Sequence, residues 1–221
     1  RAGAGPVTAA MDLYGLCLDG DRLWAEIGTL RHEVPVRHWR REEMPGDRAL
    51  LERCDGPTLD VGCGPGRLTV ALTGRGRPAL GIDISPAAVE LARSRGASVL
   101  RRDVFERLPR EGHWQHILLA DGNIGIGGDP VRLLDRCRRL LSDGGTVLLD
   151  LAAEGRSIRT DQVRLFTEGQ ASDPFPWSRV PVAALEPLAA CTGFEVTGVW
   201  RAARRWQAEL HTTRRWEVRG A

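Results

Sequence analysis

The chain contains no lysine: all 31 of its basic residues are arginine. Schiff-base chemistry and lysine-held cofactors such as pyridoxal phosphate are therefore excluded. Cysteine is sparse, at positions 17, 54, 63, 137 and 191, with no C-x-x-C spacing and an odd total. That argues against a zinc knuckle, any other metal centre of that kind, or a disulfide framework, and fits reduced thiols. No apolar run has the length of a membrane span. The opening RAGAGPVTAA has an arginine but no apolar core, so no secretory signal is read there. The expectation is a cytoplasmic protein with no membrane partner. An excess of one charge is also missing. The 31 basic and 29 acidic residues leave a net charge of +2, which gives no bulk field for nucleic acid.

What the chain does have is a strand–helix rhythm that starts at Pro57. TLDVG reads as a short buried strand, GRLTVALTGRG as a helix closed by Gly74 and Gly76, and PALGIDI as a second strand. Ser85 then caps a helix with Pro86 at its first position. ASVLRRD and HILLAD are further strands. DPVRLLDRCRRLL is a helix capped by Asp129, with Val131, Leu133, Leu134, Cys137, Leu140 and Leu141 on one face. GGTVLLDLA is a fifth strand. Such alternation predicts a parallel sheet with helices on both faces. FEVTGVWRA and RRWQAELHT are too closely joined for a parallel crossover, so they are expected as an antiparallel pair. Trp200, Trp206 and Trp216, interleaved with arginines, read as a half-buried hairpin rather than a nucleic-acid platform.

The flanking segments are less regular. Residues 1–10 are expected as a loose arm, AAMDLYGLCL as a helix, and HEVPVRHW as a short extended piece held to an edge by Pro35. DRALLERC reads as a helix capped by Asp47. Residues 152–180 are expected to be irregular, and PVAALEPLAACTG to be a helix bent or shortened by Pro187. An N-terminal arm and cap over 1–55 and a ligand-binding domain over 56–221 make up the expected organisation.

The stretch LDVGCGPGRL, residues 59–68, carries most of the functional signal. Gly62, Gly64 and Gly66 fall where a strand turns into a helix, at the carboxyl edge where open α/β sheets bind ligands. Asp83 closes the next strand, where a carboxylate can accept from ribose hydroxyls. The spacing is G-x-G-x-G rather than G-x-G-x-x-G. Pro65 removes a donor that a pyrophosphate could use, and no G-K-[ST] follows. A nucleoside ligand without phosphates suits so tight a loop.

LDVGCGPGRLTVAL, GIDIS, RRDVF and LLADGN together resemble the class I S-adenosylmethionine-dependent methyltransferases over residues 57–151. The late antiparallel pair is similar to that family too. The resemblance implies a Rossmann-like, mostly parallel seven-stranded sheet with a short N-terminal cap. It also implies S-adenosyl-L-methionine as cofactor, with S-adenosyl-L-homocysteine as product. Asp60 would fix the loop or receive the methionine ammonium through water. Gly62, Gly64 and Gly66 would pass under the methionine and ribose, and Asp83 would hold the ribose hydroxyls. Ile84 would lie on the adenine, Asp103 and Val104 beside its amino group, and Ala120 and Asp121 where sulfonium and acceptor meet. Capping of the loop without a ligand remains the alternative for Asp60, Asp83 and Asp103.

Methyl transfer needs proximity above all, and a base only if the nucleophile must lose a proton. Candidate catalytic groups are Asp121, His32 and His38. Candidate acceptor contacts are Asn123, Arg37, Trp39, Phe175 and Trp177. ADGNIGIGGDP, residues 120–130, places four glycines after the fourth strand, where a flat or bulky acceptor would gain access. It lacks the [DN]-P-P-[FY] pattern of enzymes that methylate amino groups of nucleobases or proteins. The sequence thus points to methylation of oxygen or nitrogen on a small molecule by a monomer or homodimer. A non-catalytic binder of the cofactor and a nucleotide-dependent oxidoreductase remain the rivals.

Overall fold

A computed structural model describes residues 7–18 and 20–213. Trp216 and residues 1–6 of the arm expected over residues 1–10 lie outside them; the rest of that arm is ordered, as a short strand at Val7–Thr8 and the start of a helix at Ala10. In chain order the strands are β1 (Val7–Thr8), β2 (Leu23–Ile27), β3 (Leu30–Val34), β4 (Thr58–Val61), β5 (Ala79–Asp83), β6 (Val99–Arg101) and β7 (Trp114–Leu119). They continue with β8 (Leu141–Leu151), β9 (Arg159–Phe166), β10 (Ala171–Ser172), β11 (Phe175–Arg179), β12 (Phe194–Ala202) and β13 (Arg205–Thr212). The helices are α1 (Ala10–Cys17), α2 (Val36–Trp39), α3 (Asp47–Leu51), α4 (Arg67–Gly74), α5 (Pro86–Ser94), α6 (Pro130–Leu140) and α7 (Leu185–Cys191).

The short apolar runs from Thr58 onward form one seven-stranded sheet in the order β12-β13-β8-β7-β4-β5-β6. From β8 to β6 the neighbours are parallel, and β13 joins antiparallel to both β8 and β12. Strands buried on both faces must be apolar throughout. The central strand β7 illustrates this, since Ile117, Leu118 and Leu119 are all fully buried. The chain leaves β4 toward β5 on one side and returns to β7 on the other. That reversal opens a crevice at the carboxyl end of β4, where the glycine loop lies.

Caps fall largely where the sequence puts them. Ser85 accepts from the Ala88 amide and Asp129 from the Arg132 amide, each ahead of a proline at the first helical position. Two details differ. Val131, expected on the buried face of α6, is 42% exposed, because that face is carried by Leu133, Leu134, Cys137 and Leu140. Asp47 is the first residue of α3 rather than its cap, a place taken by Gly46 in a left-handed conformation.

The larger departure is a second sheet, in the order β1-β10-β9-β2-β3 with β11 also on β9. Residues 152–180, expected to be irregular, supply β9, β10 and β11. Alternation is present there: Val163 and Leu165 are buried while Arg164 is exposed. Proline at 174 and 176 obscures it, and β11 tolerates Pro176 because it pairs only with β9. In HEVPVRHW the strand stops at Val34, and Pro35 starts the helical turn α2. The second sheet draws strands from both sides of residue 55. Its inner face, with Leu23, Ala25, Val163 and Leu165, packs on Leu13 and Cys17 of α1 and Ala88 of α5. Helix α1 is thereby pressed between the cap sheet and the main sheet's helices. At Gly15 an added Cβ would come within 2.8 Å of the Ala87 Cβ.

Leu118 is fully buried in the central strand between α3, α4 and β8. Leu118→Ala is expected to cost about 2–5 kcal/mol, read from denaturant unfolding. A loss well under about 1 kcal/mol would contradict this packing.

Candidate active site

The glycine loop is a run of left-handed turns. Gly62, Gly64 and Gly66 have φ of +68°, +52° and +78°, values that side chains rarely adopt. Two anchors hold it. Asp83, at the end of β5, accepts the Gly64 amide on Oδ2 and the Ser85 amide on Oδ1, each at 2.8 Å. Asn123 donates from Nδ2 to the carbonyls of Val61 and Gly62 at 2.8 and 2.9 Å. Burial raises the Asp83 carboxyl above its ordinary value, opposed by these amide bonds.

Asp60 is 2% exposed and accepts from the Thr69 hydroxyl at 2.8 Å, which ties β4 to α4. Burial pushes it up to about 7; the Thr69 bond opposes the rise, and the charges of Asp121 and Asp83 add to it. Ile84 is 46% exposed beside the loop, an apolar side chain left at the crevice. Asp103 uses Oδ1 to accept the Phe105 amide at 2.9 Å. Val104 and Ala120 are buried, so they reach the crevice only through backbone.

A cluster of five charges stands behind the loop. Arg67, the first residue of α4, pairs with Asp47 and Asp121. Arg205, at the start of β13, pairs with Asp47 at 2.6 Å, Asp121 at 3.2 Å, and Asp150. The Asp121 amide also donates to Asp150 at 2.6 Å, with Asp121 itself at φ +54°. Both carboxylate oxygens of Asp121 are thus held by guanidiniums, so its geometry is that of a fixed charge rather than a free base. Three carboxylates face two guanidiniums, which leaves one negative charge in excess at the edge of the crevice.

Tyr14 was not singled out by the sequence, yet α1 brings it over the loop. A Cβ on Gly64 would lie 3.1 Å from its hydroxyl. Burial, with Asp83 the next contributor, keeps the phenol well above its ordinary pKa. It therefore stays protonated. Trp39 meets Tyr14 edge-on, with centroids 5.9 Å apart. Phe175 and Trp177 lie in the same cap cluster, edge-on to each other at 6.4 Å. Tyr14 is the chain's one tyrosine, in a helix whose pattern alone did not say which surface it meets. Arg67, directly after GPG, and Asp150 and Arg205 were also missed, since they meet only through the fold.

Other expected contacts fall elsewhere. His32 is exposed on β3 and His38 on α2, and among the described residues neither hydrogen-bonds to the loop. Arg37 is exposed and donates to the Gly20 carbonyl at 3.1 Å. The glycines after β7 serve the cap more than an open approach. A Cβ on Gly125 would meet Trp177 at 2.6 Å, and one on Gly128 would meet Pro176 at 2.6 Å. Among the described residues no group of three His, Cys, Asp or Glu could hold a metal ion, and no helix is long and apolar enough to cross a membrane.

Two outcomes test this geometry. Removing Arg205 leaves Asp47, Asp121 and Asp150 undercompensated, so Arg205→Met is expected to destabilise by about 3–5 kcal/mol in urea unfolding; a neutral change would dissolve the cluster. Asp60 gives a pH signature. Its folded pKa of about 7 lies above the ordinary 3.8, so its contribution to stability is full below about pH 4 and is lost as pH rises toward 7. The Asn variant keeps an acceptor for Thr69 and does not titrate. Relative to wild type, Asp60→Asn should therefore gain stability from about pH 4.5 to 7, with a slope approaching about 1.4 kcal/mol per pH unit. A flat difference would refute the burial of the charge.

Residues 58–145 match the family model described as "Methyltransferase domain". A ubiquinone biosynthesis O-methyltransferase of Methylococcus capsulatus is 31% identical over 133 residues, covering 57% of this chain and 54% of that one. A magnesium-protoporphyrin O-methyltransferase of Rhodobacter capsulatus is 31% identical over 115 residues, covering 47% and 51%. The chain thus spans about half the length of these relatives. A methyltransferase from Bacteroides fragilis, solved with S-adenosyl-L-homocysteine, superposes with a TM-score of 0.80 at 24% identity, over 95% of this chain and 99% of that one. The 1,6-didemethyltoxoflavin-N1-methyltransferase of Burkholderia thailandensis gives 0.56 at 20% identity, over 76% and 75%. Residues 58–145 are thus similar to a methyltransferase domain, and the chain has the fold of the class I S-adenosylmethionine-dependent methyltransferases.

Proposed function

We propose that the protein is an S-adenosylmethionine-dependent methyltransferase acting on a small organic molecule. The observation that carries this is the left-handed glycine loop, braced by Asp83 and covered by Tyr14. The Cβ-free backbone at Gly64 and the exposed Ile84 fit a nucleoside ligand without phosphates. Asp83 keeps lone pairs for ribose hydroxyls besides those used on Gly64 and Ser85. Ile84 would meet the base, with Asp103 and Val104 beside it. The excess negative charge of the Asp47–Arg67–Asp121–Asp150–Arg205 cluster favours a cationic ligand at the other end of the loop.

When bound, the cofactor supplies a methyl group already activated by its sulfonium. The protein's work is then to align and to exclude water. Tyr14 would donate a hydrogen bond inside the closed crevice. Trp39, Phe175 and Trp177 line the cap above it and suit an apolar or aromatic acceptor. Asn123 fixes the floor through the Val61 and Gly62 carbonyls. Asp121, clamped by two arginines, contributes field rather than proton transfer, and His32 and His38 are kept as candidates only if the acceptor reaches the outer cap. Oxygen or nitrogen is the proposed methyl acceptor. Relatives named as O-methyltransferases and a neighbour named as an N1-methyltransferase support that range.

The test is calorimetric titration with S-adenosylhomocysteine, followed by transfer of labelled methyl across a panel of phenols, carboxylic acids and amines. Binding is expected for wild type and a loss of at least about tenfold for Asp83→Ala, the equivalent of one or more hydrogen bonds to a charged group. Tyr14→Phe should keep the fold and lower turnover by roughly 3–10-fold. Binding of reduced nicotinamide cofactor instead would overturn the proposal. Tight binding with no labelled product on any acceptor would favour a non-catalytic binder.

A further inference from the structure

The outermost strand of the cap sheet has an open edge that is complementary to itself. The β2–β3 hairpin turns on Gly28 and Thr29, with Gly28 at φ +60° and Ile27 paired to Leu30. A two-residue turn of this kind makes the flanking pair a hydrogen-bonded one, and bonding then alternates along the strand. Leu30, His32 and Val34 therefore direct their backbone groups to β2. Arg31 and Glu33 direct theirs to the open edge. Among the described residues no further strand of the cap sheet covers that edge, and Leu30 is 71% exposed there.

Side chains alternate as well. Val34 packs toward the cap core, so Leu30 and His32 share that face, while Arg31 and Glu33 stand on the outer one. Within one copy Arg31 pairs with Glu26 at 2.7 Å and lies over the Phe166 ring at 4.5 Å. Glu33 pairs with Arg22 at 2.8 Å.

We propose that this edge is a homodimer surface: two copies of β3 pair antiparallel about a two-fold axis at His32, which joins their cap sheets into one. In this register Arg31 lies opposite Glu33 of the second copy, and Glu33 opposite Arg31 of the second copy. These are the two positions whose N–H and C=O groups face outward, so each opposed pair exchanges both of its backbone hydrogen bonds. Leu30 meets Val34 of the second copy on the inner face. Pro35, which has no N–H, ends the ladder opposite Thr29. On the outer face the charges continue in alternating sign, from Glu26 through Arg31 to Glu33 and then Arg22 of the second copy. Each exposed pair contributes little alone, but opposite charges directly across a ladder add to its bonds. Because the patch is its own complement, the contact closes at two copies and does not propagate. Charges of one sign would blunt such an edge; the mixed signs here make antiparallel self-pairing the matched arrangement.

Sedimentation equilibrium of the full chain over a concentration series tests this, with R31E, E33R and the double variant R31E/E33R. Circular dichroism verifies the fold of each. Wild type should dimerise reversibly. Each single reversal places like charges opposite one another twice and should weaken the dimer by roughly tenfold or more. The double reversal restores opposite signs in the same register and should recover the wild-type constant to within about threefold. A wild type that stays monomeric throughout would overturn the proposal. So would a dimer unmoved by R31E, or a double variant as weak as the singles.

Discussion

The arrangement around Arg67 is the constraint on which the site depends. Its guanidinium joins Asp47 of α3 to Asp121 after β7, and Arg205 repeats the link while adding Asp150 of β8. Separate segments of the chain are thereby held together at the carboxyl edge of the sheet. Burying these charges is expensive unless each is paired, and each carboxylate in the cluster is. The cluster fixes Asp121 in a left-handed conformation. That conformation starts the 120–128 segment on the path that lets Asn123 hold the glycine loop. One set of ion pairs thus shapes the loop's floor from behind and, through Arg67, holds the loop's exit into α4.

From the other side the loop is shaped by the cap. Helix α1 reaches it because Gly15 allows close contact with Ala87 and because the cap sheet presses on Leu13 and Cys17. Tyr14 follows from that docking. The glycines after β7 have a related use, since Gly125 and Gly128 accept Trp177 and Pro176 of β11. The crevice therefore lies between the carboxyl edge of the main sheet and a lid built from two distant parts of the chain. Enclosure of this type suits the proposed proximity-driven transfer.

The main sheet was legible because its strands are short apolar runs between capped helices, and Ser85–Pro86 and Asp129–Pro130 mark helix starts by local chemistry alone. The glycine loop and Asp83 were legible for the same reason: positive φ and a strand-end carboxylate leave residue-type signatures. The cap sheet was not. Its strands are half-exposed and interrupted by prolines, and β9 pairs with β2, which lies far away in the chain. The ion cluster was hidden because Asp47, Arg67, Asp150 and Arg205 each look like ordinary surface charge until the fold brings them together. His32 and His38 drew attention by residue type, but type carries no information about distance from the loop: both are exposed, on β3 and α2.

Hydrogen exchange with and without S-adenosylhomocysteine tests the central claim most directly, because it reads the loop and the lid at once. The account predicts slowed exchange at residues 62–67, at 83–85 and along α1 around Tyr14, with β3 and the far end of β12 unchanged. Protection confined to other regions, or none at saturating ligand, would contradict it.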